Sequence, residues 1–163
     1  MNNKVVYHAY HTFLKNGFSV CRFNFRGVGK SEGKFDNGLG ELSDAAAALD
    51  YVQRNNSNSN ESWVVGFSFG ALIAMQLLMR RPEIFRFISI SPQPNIFDFN
   101  FLAPCPTSGL VIHGDQDQLV PKDTMIVLKE KLVSQKNITV DFNEIKGANH
   151  FFTGKEKELV DFI

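Results

Sequence analysis

Apolar positions in this chain follow two rhythms that alternate along its length. Between residues 4 and 15, Val5, Tyr7 or His8, Tyr10 or His11 and Leu14 fall at helical spacing, and Asn16-Gly17 closes the run. Residues 18–24 then alternate apolar and polar and are rich in strand formers, which predicts a strand. A glycine-rich loop from Arg26 to Gly40 leads to a helix over Glu41–Arg54 with an alanine-rich middle, and a polar loop covers 55–60. A short buried strand over 62–65 is followed by a helix over 71–79 that stops near Arg81-Pro82. Beyond it the pattern predicts a strand over 87–91, a loop over 92–106 and a strand over 110–113. A helix over 121–135 follows, with proline near its first turn, then a strand over 138–142 and a last helix from 155 to 163. No repeat and no linker interrupts the series, so residues 1–163 read as a single domain.

Strands alternating with helices call for an α/β fold, a mostly parallel sheet flanked by helices on both faces. In such sheets chemistry collects at the carboxyl ends of the strands. The positions to watch are therefore Asn24 to Ser31, Ser68, Ser91 to Pro94, His113 to Asp117, and Gly147 to Phe151.

Composition narrows the function classes. With 44% hydrophobic and 21% charged residues, the chain is ordinary for a globular protein. Lys+Arg and Asp+Glu both number 17, which argues against a nucleic acid or an anionic membrane surface as the main partner. No apolar run approaches the roughly 20 residues of a membrane span, and the first residues have no signal-peptide pattern. Cys21 and Cys105 are too few for a disulfide framework, which makes a cytoplasmic location the default. No metal or cofactor motif is present: His8 and His11 stand alone and neither cysteine belongs to a Cys-x-x-Cys pair. Gly29-Lys30-Ser31 resembles the end of a phosphate-binding loop, but Asn24 stands where that motif needs glycine.

Gly66-Phe67-Ser68-Phe69-Gly70 carries the candidate chemistry. It fits G-x-S-x-G at a predicted strand-to-helix turn, the nucleophile elbow, where tight geometry asks for small flanking residues at Gly66 and Gly70. A serine hydroxyl needs a base within hydrogen-bond reach, usually a histidine oriented by a carboxylate. His150 follows the last strand, and Asp117 and Asp115 compete after the strand at 110–113. Asp115 has an alternative reading as a brace for its loop, and His113 as a hydrogen-bonded loop residue. The backbone N–H of Phe69 is the first oxyanion donor.

Four ordered motifs carry a resemblance over essentially the whole chain: Asn24-Phe25-Arg26-Gly27-Val28-Gly29-Lys30-Ser31-Glu32-Gly33, the elbow, the His113–Pro121 stretch, and Gly147-Ala148-Asn149-His150. The chain resembles the α/β-hydrolase superfamily, and within it the small lidless bacterial proteins grouped as dienelactone-hydrolase-like or serine-aminopeptidase-like. That resemblance implies Ser68 as nucleophile, Asp117 as acid and His150 as base. It implies no cofactor and a small acyl substrate, an ester, thioester or short peptide-like bond cleaved through an acyl-enzyme. Phe67, Phe97 and Phe99, with Phe69, are candidates for an apolar wall, and Arg26 for a loop brace or a substrate contact.

The resemblance also implies a gap. The family's sheet has a strand between those expected here at 18–24 and 62–67, and its connection to the first helix supplies the second oxyanion donor. The expectation is an N-terminally truncated fold, the carboxyl-terminal portion of a longer domain, with a homodimer exchanging strands as the alternative closure. Asn2 and Asn3 would lie near the site, as helix caps or as side-chain donors. Two other readings stay open, a non-catalytic scaffold and an acyltransferase on the same three residues.

Overall fold

The computed structural model describes residues 3–163. Helix α1 spans Lys4–Lys15, and Asn3 caps it by accepting a hydrogen bond from the Val6 N–H at 3.1 Å. Asn2 lies outside the described residues. The α1 stripe that faces the sheet is Val5, Ala9 and Phe13, which shares Val5 with the expected set and departs from it beyond that. Leu14 is exposed, and Tyr7 and Tyr10 lie under the Arg22 guanidinium instead. Helix α2 is Leu39–Asn55 and α3 is Phe69–Leu78. Apolar residues surround α3 on all sides, so it is buried on all sides, wedged between α2 and the sheet. Helices α4, Lys122–Val133, and α5, Glu156–Phe162, complete the set.

Four strands pair in the order β1-β2-β3-β4, all parallel: Ser62–Phe67, Ile84–Ile90, Gly109–Gly114 and Val140–Ile145. The inner strands read as near-continuous apolar runs because helices cover both faces. Phe87, fully buried, anchors the layer under α2, α3 and α4, together with Leu78, Val111 and Leu132. On the opposite face α1 and α5 pack Val5, Phe13 and Leu159 against Ile88, Ile90 and Ile112. Each such buried side chain contributes roughly 1.5–3 kcal/mol of hydrophobic stabilisation.

One predicted element is corrected. Residues 18–24 form no strand, because no ladder of backbone hydrogen bonds joins them to another segment. Phe18 packs edge-on against Phe13 and Trp63, at 5.0 and 5.8 Å between ring centroids, and Ser19 Oγ donates to Asn56 Oδ1 at 2.5 Å. These contacts hold the segment across a cavity of about 1470 Å³ from the outer edge of β1.

Candidate active site

The site assembles where the predicted post-strand loops meet. At the β1–α3 junction a side chain on residue 66 would place its Cβ 2.3 Å from the Gly70 carbonyl oxygen, so only glycine lets α3 fold back onto its strand. Gly70 itself is not confined: a Cβ there would meet nothing within 4 Å, contrary to the expected crowding, because it faces the cavity. Between them Ser68 adopts φ 56° and ψ −120°, a backbone state that costs a non-glycine residue about 1–3 kcal/mol. Its N–H donates to Ile90 O and its C=O accepts from Ala71 N–H, both at 2.9 Å, which pins the strained residue from two sides. Phe69 opens α3, so its N–H has no intrahelical acceptor and stands beside Ser68.

The two aspartates after β3 occupy different places. Asp117 Oδ1 accepts from the N–H groups of Leu119 and Val120, at 2.8 and 3.1 Å, and Oδ2 lies 2.7 Å from His150 Nδ1. Asp115 Oδ1 accepts from Gly147 N–H at 2.6 Å and ties its loop to the one that carries His150. His150 Nε2 lies 2.9 Å from Ser68 Oγ, and the side chains of His150 and Asp117 are 4% and 3% exposed. A carboxylate beside Nδ1 favours the tautomer with the proton on Nδ1, which leaves Nε2 bare toward the serine. His113 points elsewhere, with Nε2 3.4 Å from Glu144.

Two contacts arise from loop residues that the sequence placed after a strand but gave no role. Ser91, at φ 44°, donates through Oγ to the His150 carbonyl at 3.2 Å and so fixes the backbone of that loop. Gln93 Oε1 lies 3.1 Å from Ser68 Oγ as its second hydrogen-bond neighbour.

The aromatic candidates divide. Phe67 lies 5.3 Å from the His150 ring and 6.0 Å from Phe151. Phe69 is ringed by Phe25, Phe35 and Phe97 at 5.5–5.8 Å. Phe99 is not in this wall: it is 4% exposed, stacked on Phe101 and packed in the core beneath the sheet. The Gln93 carbonyl accepts from both Ile96 and Phe97 N–H, and the turn it closes sends Phe97 toward Phe69 while Phe99 points inward.

Of the two readings of Arg26, its contacts are those of the loop brace. Its Nε and Nη2 bind both oxygens of Asp44, at 3.1 and 2.8 Å, and its backbone N–H adds a third bond to Asp44 at 3.0 Å. The guanidinium is committed to bracing the loop against α2. The paired Arg26 holds the Asp44 carboxyl below the ordinary carboxylate range. Burial of Glu41 opposes its charge, yet N–H groups of Asp36 and Gly38, at 2.9 and 2.8 Å, more than offset this and keep its carboxyl low as well. A depressed folded-state pKa contributes stability that is present above the unfolded value, about 4, and lost as pH falls through the folded one. Asp44→Asn is therefore expected to flatten the acid limb of stability. Urea midpoints measured from about pH 6 down to about pH 3 should fall less steeply in the variant than in the parent.

Comparison with known proteins follows the same lines. The sequence profile of the family described as serine aminopeptidase, S33, matches residues 3–106. An uncharacterized protein of Rickettsia prowazekii is 54% identical, over 98% of this chain and 68% of its own length. A protein of unknown function from Agrobacterium tumefaciens, for which an α/β-hydrolase assignment has been suggested, superposes with a TM-score of 0.96 at 56% identity. The match covers 99% of this chain and 74% of that one. An α/β serine hydrolase without a lid from Xanthomonas campestris gives a TM-score of 0.87 at 34% identity, over 99% of this chain and 71% of its own. Among the described residues no helix is long and apolar enough to cross a membrane.

Proposed function

From the premise that this chain belongs to the serine aminopeptidase (S33) family and is an α/β hydrolase, we propose that Ser68, His150 and Asp117 cleave a small ester, thioester or short peptide-like bond through an acyl-enzyme. The observation that carries this reading is the unbroken run from Asp117 Oδ2 to His150 Nδ1, 2.7 Å, and from His150 Nε2 to Ser68 Oγ, 2.9 Å. As Oγ attacks the substrate carbonyl carbon, Nε2 takes its proton, and Asp117 stabilises the imidazolium that forms. The carbonyl oxygen becomes an oxyanion beside Phe69 N–H. His150 then passes the proton to the leaving group as the carbon–leaving-group bond breaks. A water molecule, deprotonated by Nε2, attacks the acyl carbon and releases the acid, and the proton returns to Ser68.

Substrate size follows from what surrounds the serine. Residues 91–108 between β2 and β3 are too few for a lid domain. Phe67, Phe69 and Phe97 offer a short apolar wall, suited to small acyl groups rather than long chains. Acetyl and butyryl p-nitrophenyl esters should be hydrolysed at least about tenfold faster, by kcat/KM, than the dodecanoyl ester. An equal or higher rate on the long ester would contradict the small-acyl assignment.

Gln93 adds a positioning contact. The Ser68 hydroxyl has one proton and two neighbouring acceptors, Nε2 of His150 and Oε1 of Gln93. The carboxamide holds Oγ in place while the attack geometry forms. Gln93→Ala is expected to lower kcat/KM by less than about tenfold; a loss of about 10²–10³ would instead mark the carboxamide as an oxyanion donor.

A further inference from the structure

The groups bonded to a substrate's carbonyl carbon take separate places around Ser68. The oxygen goes to the Phe69 N–H, and the leaving-group atom comes within reach of His150 Nε2, which hands it the proton. The leaving group therefore lies on the His150 side of Oγ, and the acyl group takes the side that remains. The phenylalanines divide in the same way. Phe69 packs with Phe25 and Phe97 into the layer of α2, α3 and α4. Phe67 packs into the opposite layer, with α1 and α5, and its ring lies 5.3 Å from that of His150. Phe151 extends this second side. Its ring centroid is 6.0 Å from Phe67 and 5.1 Å from His150, and its plane stands at 82° to the imidazole.

Phe151 is held in this place by its own loop. Asn149 Oδ1 accepts from the N–H groups of Phe151 and Thr153, both at 3.1 Å, and Asn149 O accepts from Phe152 N–H at 3.0 Å. Phe152 has φ 53°, a backbone state that is unfavourable for a bulky side chain and persists only where its surroundings impose it. Here burial imposes it, since Phe152 is fully buried in the cluster that includes Ile145, Ala148 and Leu159. The strained turn thus sends one phenylalanine into the core and leaves its neighbour outside, beside the general base. A ring that only braced the imidazole would be covered by its partners. Phe151 is 52% exposed, so an aromatic surface stands open on the side where the leaving group must lie.

We propose that Phe151, with Phe67 behind it, is the leaving-group platform of this site, and that the leaving group is an aromatic alcohol. The substrate is then a small acyl ester of a phenol or a benzyl-type alcohol. This inference rests on the hydrolase reading of Ser68 given above. In the step concerned, the bond from Oγ to the acyl carbon forms and the ester C–O bond breaks. The proton on Nε2 passes to the departing oxygen, the aromatic alcohol leaves across Phe151, and the acyl group stays on Ser68. A substrate ring set edge-on or offset against Phe151, with centroids roughly 4.5–7 Å apart, is bound up to about tenfold more tightly than its area alone provides.

Acetate esters of benzyl alcohol, cyclohexylmethanol and ethanol test it. All three give the same acetyl-enzyme, so their kcat/KM values differ only in acylation. The ratio of variant to parent for each ester cancels the intrinsic reactivity of that ester. Phe151→Ala is expected to lower kcat/KM for benzyl acetate by about tenfold and for ethyl acetate by less than about twofold. Phe151→Leu, which keeps apolar bulk without a ring, should lower benzyl acetate more than cyclohexylmethyl acetate. The platform is overturned if Phe151→Ala lowers benzyl and ethyl acetate equally, as a mere brace of His150 would, or lowers neither. It is overturned also if Phe151→Leu affects the benzyl and cyclohexylmethyl esters alike. If the parent hydrolyses no ester, the hydrolase reading itself fails, and saturation-transfer NMR with benzyl alcohol decides the platform separately. Binding lost in Phe151→Ala supports it, and binding that is absent or unchanged overturns it.

Discussion

Replacing Ser68 with alanine is expected to lower turnover of a short-chain ester by about 10⁶-fold, the order found when a triad loses its nucleophile. The side chain makes two hydrogen bonds, to His150 Nε2 and Gln93 Oε1, and neither supports the core. The strained backbone at φ 56° is held by main-chain bonds that alanine keeps. The thermal midpoint of the variant should therefore stay close to that of the parent while activity vanishes. Initial rates on the acetyl ester, with a melting curve on the same preparation, check both halves. Activity within tenfold of the parent would place the hydrolysis elsewhere.

Asp117→Asn should cost about 10⁴ in kcat through the tautomer of His150 rather than through structure. Asparagine keeps Oδ1 as acceptor for the Leu119 and Val120 N–H groups, so the loop has what it needs. The group facing His150 then becomes an NH₂ donor 2.7 Å from Nδ1, which forces Nδ1 to accept and moves the ring proton to Nε2. A protonated Nε2 cannot take the serine proton. Asp115→Asn is the matched comparison. Its oxygen can still accept from Gly147, and it does not touch His150, so its kcat should change by less than about tenfold.

Much of the framework was legible because it is local. The elbow could be read from glycine spacing and from apolar runs on either side, and the serine, aspartate and histidine follow their strands in order. Strand edges were harder. β4 runs over Val140–Ile145 rather than 138–142, because Asp141 and Glu144 on its outer positions disguise its length. β2 begins at Ile84 rather than residue 87, since Phe85 is exposed and Arg86 stacks on it. The segment 18–24 has the composition of a strand, but a strand is a pairing, and composition alone does not supply the partner that the expected gap takes away. Phe99, Gln93 and the Arg26–Asp44 pair depend on how loops fold back, which residue type and spacing do not encode. The turn closed by the Gln93 carbonyl decides which phenylalanine meets Phe69 and which enters the core.

The most direct measurement is the intact mass of the protein after incubation with a fluorophosphonate, which reacts with a serine only when a base and an oxyanion site are assembled around it. The account predicts one adduct on the native chain, absent after heat denaturation and absent in Ser68→Ala. A folded native chain that takes no adduct, or an adduct that persists in Ser68→Ala, would contradict it.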